Sequence, residues 1–262
     1  MAIKPKILFV YESNHPIVVK DGLWAALDVL ESTFDIKRHN LANGGFSSDN
    51  IDFVLGWGAF GSKVDSCLQI VPCKKGLCIA GNVNPPTGAL NYDVLFYETK
   101  WYRPQIDFHP NIVHAFGYNS DIYYNMEILR DIDYLGVGAY AKWKRWEKFL
   151  DKKGDRRIVG EFQQNNPDES QDIWDKLENN GVICKDMVIP EQLNVEYNRA
   201  KTVYIPADIC GGGERAILEA RSCGCNVEVE PDNLKLKELL TCPLPTHLDY
   251  ANKLRRAICE LL

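Results

Sequence analysis

The sequence has 262 residues, of which 45% are apolar and 25% are charged, and its formal net charge is −6. A chain of this length can bury one large core or two small ones. The net negative charge argues against a dedicated nucleic-acid binder, which usually carries a basic face. No basic run followed by an apolar stretch opens the sequence, and no segment approaches the roughly 20 apolar residues of a membrane helix. We therefore expect a soluble, cytoplasmic protein.

The nine cysteines are scattered along the chain. Cys223 and Cys225 are too close together for the usual zinc spacing, and no histidine cluster accompanies them. The odd total favours reduced thiols over a disulfide framework. The sequence therefore predicts neither a metal site nor disulfides.

Short apolar runs alternate with helical or loop segments along the whole chain. In the first half, strands are predicted over residues 6–11, 34–39, 51–56, 76–80, 93–97 and 111–116, with a helix over 21–30. In the second half, strands are predicted over 133–138, 157–160, 182–187, 202–205 and 226–229. Helices are predicted there over 144–152, 172–178, 191–199, 214–222, 234–240 and 250–261.

This alternation is typical of βαβ units and mostly parallel sheets. We predict a compact α/β protein with two Rossmann-like parallel-sheet domains that face a cleft. The first domain spans residues 1–121, the second spans 122–249, and a C-terminal helix spans 250–262. Ligands of such sheets bind outside the carboxyl ends of the strands.

A glycine-rich stretch between a predicted strand and a predicted helix is the most informative motif. It reads Pro-Ala-Asp-Ile-Cys-Gly-Gly-Gly-Glu-Arg from residue 206. Gly211, Gly212 and Gly213 would let the backbone pass close to a ligand, and the helix N-terminus offers N–H groups to an anion. Taken alone, an ordinary βαβ turn explains this motif equally well.

The stretch resembles the signature of GT-B-fold glycosyltransferases of the family-4 (group 1) type. In that signature a glycine-rich loop leads into a helix with two glutamates eight positions apart, and Leu218-Glu219-Ala220 and Cys223-Gly224 match its end. The resemblance implies that Glu219 binds the ribose hydroxyls of a nucleotide-sugar donor. Gly211 replaces the first glutamate, so Glu214 is the candidate for contact with the donor sugar. The alternative for Glu214 is a charge that only complements the helix dipole.

Residues 134–145 resemble the strand and loop in which an arginine and a lysine of the same family clamp the donor diphosphate. Lys144 takes the lysine position, but Ala139 replaces the arginine, so Lys142 or Arg145 would supply the second positive charge. The alternative for this basic cluster is a membrane-surface or nucleic-acid patch.

The resemblance also suggests how the remaining residues are distributed. Arg215 would join the donor site, and the loop around Val188 would lie by the base. Residues 116–121 resemble the turn that joins the two domains of the family. The acceptor would bind to the first domain, where His15 is a catalytic candidate in a strand-to-helix loop. An exposed loop histidine without a catalytic function is the alternative for His15.

The resemblance implies a glycosyltransferase that moves a sugar from a nucleotide-sugar donor to an unidentified acceptor. It further implies retention of configuration, and we expect no metal and no cofactor. Two alternatives stay open. One is a nucleotide-sugar-binding protein without activity, because the first glutamate and the arginine are absent. The other is a phage-type DNA base glycosyltransferase, which the aromatic and basic residues of 96–103 permit and the net charge opposes.

Overall fold

The computed structural model describes residues 3–13, 20–81 and 91–262 of the chain. The chain divides into two compact units. The first comprises Met1–Pro16, Gly22–Gly117 and Pro245–Leu262, and the second comprises Ile17–Asp21 and Tyr118–Leu244. The C-terminal segment, predicted as a separate element, is therefore grouped with the first unit.

Eleven strands and eight α-helices are formed by the described residues. The strands are β1 (Lys6–Tyr11), β2 (Asp35–Asn40), β3 (Phe53–Gly58), β4 (Lys74–Ile79), β5 (Val94–Tyr97), β6 (Ile112–His114), β7 (Ile132–Val137), β8 (Arg156–Val159), β9 (Ile183–Lys185), β10 (Ala200–Ile205) and β11 (Asn226–Val229). The helices are α1 (Gly22–Leu30), α2 (Lys63–Gln69), α3 (Arg103–Ile106), α4 (Pro167–Glu178), α5 (Pro190–Arg199), α6 (Glu214–Ser222), α7 (Leu234–Thr241) and α8 (His247–Cys259). Among these helices, none has the length and apolar composition that crossing a membrane requires.

The first unit contains a six-stranded parallel sheet in the order β2-β1-β3-β4-β5-β6. The inner strands are continuous apolar runs because both faces of the sheet are covered. In β1, for example, all four residues from Ile7 to Val10 are buried. The sequence predicted all six strands, including the edge strand β2, which is polar and only partly buried.

The C-terminal helix α8 packs against α1 within the first unit. It begins at His247, three residues before the predicted start, because Thr246 and Asp249 form a capping box. Gly117, the last residue of this unit before the second sheet, lies against Thr246, where the chain has returned to the unit. A Cβ added to Gly117 would lie only 2.3 Å from the carbonyl oxygen of Thr246.

The second unit contains a five-stranded parallel sheet in the order β11-β10-β7-β8-β9. Strand β7 comes first in the chain and lies at the centre, so the strand order reverses between β7 and β10. The predicted α/β class with two parallel-sheet domains is confirmed.

The helix predicted over residues 144–152 is wrong. Two 3₁₀ turns occupy this region, Lys142–Lys144 and Trp146–Asp151, and Arg145 between them has a left-handed backbone with φ of 51°. Such a backbone interrupts any α-helix. Contacts of the Arg145 side chain with distant segments, described below, stabilise this conformation.

Candidate functional site

The reversal of strand order in the second unit brings the carboxyl ends of β7 and β10 side by side. Residues 138–144 follow β7, and residues 206–213 follow β10. In open parallel sheets this crossover point is where ligands bind. The two loops that the sequence singled out are therefore neighbours at the expected position.

The glycine-rich loop turns the chain from β10 into α6. Gly212 and Gly213 have φ of 64° and 120°, values that favour glycine, and a Cβ on Gly213 would lie 2.8 Å from Cγ2 of Ile205. Helix α6 then begins at Glu214, and no side chain caps its N-terminus. The N–H groups in the first turn of a helix have no partner within the helix and favour an anion.

Gly211 occupies the position at which the resemblance expects a glutamate. A Cβ there would lie 2.5 Å from the carbonyl oxygen of Trp143 and 2.8 Å from Cβ of Ala207. The same carbonyl accepts a hydrogen bond of 3.0 Å from the backbone N–H of Asp208. The turn that contains Trp143 thus fills the space that a side chain at 211 would need.

Lys144 places a buried ammonium group beside this loop. The residue is only 7% exposed, and a Cβ on Gly138 would lie 2.9 Å from its Nζ. Nζ also lies 3.8 Å from the position of a Cβ on Gly212. Within the part of the chain that the structure describes, Nζ makes no hydrogen bond and no ion pair. Burial lowers the pKa of Lys144 to about 8, while the charge of Glu214 opposes that effect.

Glu214, the first residue of α6, is buried next to a second lysine. Its Oε1 lies 2.6 Å from Nζ of Lys235, and its Oε2 lies 3.7 Å from the position of a Cβ on Gly212. Burial acts to raise the pKa of Glu214, but the positive charges of Lys235 and Lys144 outweigh it and the pKa is below its ordinary value. The carboxylate is therefore ionised between two lysines.

Glu219 lies on the same helix and is 6% exposed. The hydroxyl of Tyr197 donates a hydrogen bond of 3.0 Å to its Oε2. Among the described residues, none donates a hydrogen bond to Oε1. Burial raises the pKa of Glu219 to about 7, against the opposing charge of Arg215 and the hydrogen bond from Tyr197. Tyr197 thus holds one oxygen of this buried carboxyl group, and the described residues donate no hydrogen bond to the other.

The Arg145 side chain, unlike that of Lys144, is engaged in hydrogen bonds with the described residues. Its guanidinium donates to the carbonyl oxygens of Pro206 at 2.7 Å and Ala207 at 2.9 Å, and to both oxygens of Asp232 at 2.7 and 3.0 Å. These bonds engage four of its five N–H groups. Arg145 therefore ties its own turn to the loop after β10.

The other predicted site residues lie in different surroundings. Lys142 is exposed, and its Nζ lies 2.9 Å from Glu169. Arg215 forms an ion pair of 2.5 Å with Asp21. Val188 is half-buried between β9 and α5. His15 lies outside the described residues, and within them no group of three or more His, Cys, Asp and Glu residues is placed to hold a metal ion.

Sequence reasoning missed Lys235. A helix over residues 234–240 was predicted without assigning its buried face, and in the structure Leu234 is 62% exposed whereas Lys235 is completely buried. Asn233 fixes this orientation, because its side chain accepts from the N–H of Leu236 and donates to the carbonyls of Ala207 and Asp208. An asparagine N-cap directly before the helix was the signal in the sequence.

No protein-family model and no curated protein matches the sequence. Solved structures do match over nearly the whole chain. Sucrose-phosphate synthase from Thermosynechococcus elongatus has a TM-score of 0.67 at 12% identity, with 98% of this chain and 90% of that chain covered. HepE from Anabaena, in complex with UDP and glucose, has a TM-score of 0.61 at 12% identity, with 98% and 99% covered. The chain has the GT-B fold.

A third GT-B structure is an alpha-glucosyltransferase in complex with UDP and a 13-mer DNA that contains an HMU base. Its TM-score is 0.55 at 11% identity, with 97% of this chain and 90% of that chain covered. At such identities the likeness establishes the GT-B fold, and the reaction has to be argued from the residues of the site.

Proposed function

We propose that this protein is a glycosyltransferase whose second unit holds a nucleotide-sugar donor. The observation that carries the proposal is the buried Lys144 ammonium beside the glycine-rich loop and the uncapped N-terminus of α6. A diphosphate needs both positive charge and N–H donors. When the bond between sugar and diphosphate breaks, the same groups stabilise the charge that develops on the departing phosphate.

Glu219 is the proposed ribose ligand. It follows Glu214 by five residues, which corresponds to about 7.5 Å along the helix axis. The open oxygen Oε1 can accept a ribose hydroxyl while Tyr197 holds Oε2. Anion site and ribose site are thus spaced for neighbouring parts of one nucleotide. The complexes of HepE and of the DNA-glucosylating enzyme both contain UDP, which supports a UDP-type donor.

Transfer with retention and without a metal is part of the proposal, as is His15 as the residue that assists the acceptor. The contact of Glu214 with the donor sugar would use Oε2, since Oε1 is on Lys235. One observation favours a second candidate function, a nucleotide-sugar-binding protein without activity. There is no room for a glutamate at Gly211, and Ala139 supplies no arginine.

Calorimetric titration with UDP, GDP, ADP and their common sugar conjugates tests donor binding. We expect one nucleotide family to bind, and Glu219→Gln and Lys144→Met to abolish or weaken binding at least tenfold. Lys142→Met is the matched control, because this exposed lysine of the same turn pairs with Glu169 and its loss should leave affinity unchanged. Failure of every nucleotide to bind would refute the proposal.

Release of UDP from UDP-sugars then separates the two candidate functions. Release that needs Lys144 and Glu219 supports the transferase, and tight binding without release supports the binding protein. Glycans, small hydroxylated molecules and duplex DNA with hydroxymethylated bases are the acceptors to compare. A DNA acceptor also requires DNA binding that weakens steeply with salt.

A further inference from the structure

Lys235 is a completely buried lysine in the first turn of α7. Lysine is almost never fully buried unless it is paired. Its partner is Glu214, the first residue of α6, at 2.6 Å, and burying both charges costs free energy. A buried ion pair is by itself weak evidence for stability, and its position suggests another role.

The pair is continuous with the proposed anion site. The second oxygen of Glu214 and the ammonium of Lys144 lie 3.7 and 3.8 Å from the same point, the position of a Cβ on Gly212. The charge of Glu214 acts to raise the pKa of Lys144, and that of Lys235 acts to lower it. The three side chains therefore form one electrostatic cluster with two positive charges and one negative charge.

The net charge of this cluster depends on Lys235. Without Lys235 the Glu214 carboxylate would neutralise Lys144, and the cluster would present no net charge to an anion. The charges of Arg215 and Glu161 act on the pKa of Lys144 in opposite directions. Ala139 stands where the resembling family has an arginine, and the two other basic residues of the segment after β7 are paired with carboxylates, Lys142 with Glu169 and Arg145 with Asp232.

We infer that Lys235 is a positioning residue of the diphosphate site, which engages Glu214 and so leaves Lys144 free to bind the phosphate. The inference rests on the proposed function and names the second positive charge that the site needs. Lys235 does not touch the ligand in this arrangement. Its positive charge balances the Glu214 carboxylate, so the cluster keeps the net positive charge that an arginine at position 139 would otherwise add.

A charge-balanced set of variants tests this role with pyrophosphate as the probe. Lys235→Met should weaken pyrophosphate binding at least tenfold by calorimetry at fixed ionic strength, because Glu214 then pairs with Lys144. The double variant Glu214→Gln/Lys235→Met restores a net charge of +1 and should bind within about threefold of wild type. Wild-type affinity in Lys235→Met, or a double variant as weak as the single one, would overturn the inference.

The double variant also covers the case in which Lys235→Met fails to fold, because it leaves no unpaired carboxylate in the interior. Thermal unfolding establishes that each variant is folded. Adding Lys144→Met to the double variant should abolish the restored binding, and its persistence would contradict the inference.

Titration with UDP separates failure of this inference from failure of the proposed function. A wild-type protein that binds pyrophosphate but no nucleotide refutes the function and leaves the charge-balance test intact. A protein that binds UDP equally well with and without Lys235 refutes only the inference. Absence of pyrophosphate binding by the wild type refutes the inference itself.

Discussion

Replacing Glu219 by glutamine should stabilise the ligand-free protein at alkaline pH. Burial raises the pKa of Glu219 to about 7 from an ordinary value of 4.5. A group with a raised pKa favours the folded state below its unfolded pKa, and this advantage is lost as the pH rises through the folded pKa. The carboxyl group therefore destabilises the protein above pH 7, where it is ionised in a buried position.

The magnitude follows from the two pKa values. Their difference corresponds to about 3 kcal/mol, which is the largest gain in unfolding free energy expected for Glu219→Gln. Glutamine does not titrate and keeps an acceptor for the Tyr197 hydroxyl. The gain should be absent near pH 4.5, grow between pH 4.5 and 7, and level off above pH 7.

Thermal unfolding of wild type and Glu219→Gln between pH 5 and 8.5 measures this effect. For units of this size, between the small and large domains that have been characterised, each kcal/mol corresponds to roughly 4 °C in Tm. Glu230→Gln is a control for which the opposite change in stability is expected. Burial acts to raise the pKa of Glu230, but hydrogen bonds from Lys148 and Tyr204 hold it below its ordinary value, so this variant should be less stable at pH 8. A Tm difference between Glu219→Gln and wild type that does not change with pH would refute the reasoning.

Three further predictions concern the same site. UDP affinity should rise about fivefold from pH 6 to pH 8, because ionisation of Glu219 favours the ribose contact about tenfold while Lys144, with a pKa of about 8, loses about half of its positive charge. Calorimetry at each pH measures this rise, and a profile that only falls with pH would argue against Glu219 as the ribose ligand. Tyr197→Phe removes a hydrogen bond that lowers the pKa of Glu219, so the midpoint of that pH profile should move to higher pH. An unchanged midpoint would show that this hydrogen bond does not act on Glu219. Gly211→Ala should lower the free energy of unfolding by about 1–3 kcal/mol, because the added Cβ would lie 2.5 Å from a backbone carbonyl oxygen. Gly45→Ala is the control, since a Cβ there has no atom within 4 Å and should change Tm little. Equal changes in Tm for the two variants would contradict the crowding at residue 211.

Inner strands such as β1 and β5 were predictable because a parallel strand buried on two faces is a continuous apolar run, whereas edge strands such as β2 followed from the alternation of elements along the chain. The turn from β10 into α6 through the glycine-rich loop was predictable because its residues are consecutive in the sequence, and the role of Glu219 in donor binding stays a prediction. The strands and this turn both depend on local pattern.

The positions of Arg145 and Lys235 were not predictable, because each is determined by distant residues. Arg145 adopts a left-handed backbone while its side chain bonds to Pro206 and Asp232, which lie 61 and 87 positions away. Lys235 is buried because Asn233 turns its helix toward the loop after β10. Such contacts leave no periodic signal in the sequence.

The division of the first unit has a consequence for synthesis of the chain. Strands β1–β6 are made before residue 117, but α8, which packs against α1, is made only after the whole second sheet. Domains generally fold as units while the chain is synthesised. A nascent chain that has reached residue 244 therefore contains every strand of the second unit, whereas the first still lacks its closing helix. We expect the first unit to complete its folding last, although it is begun first.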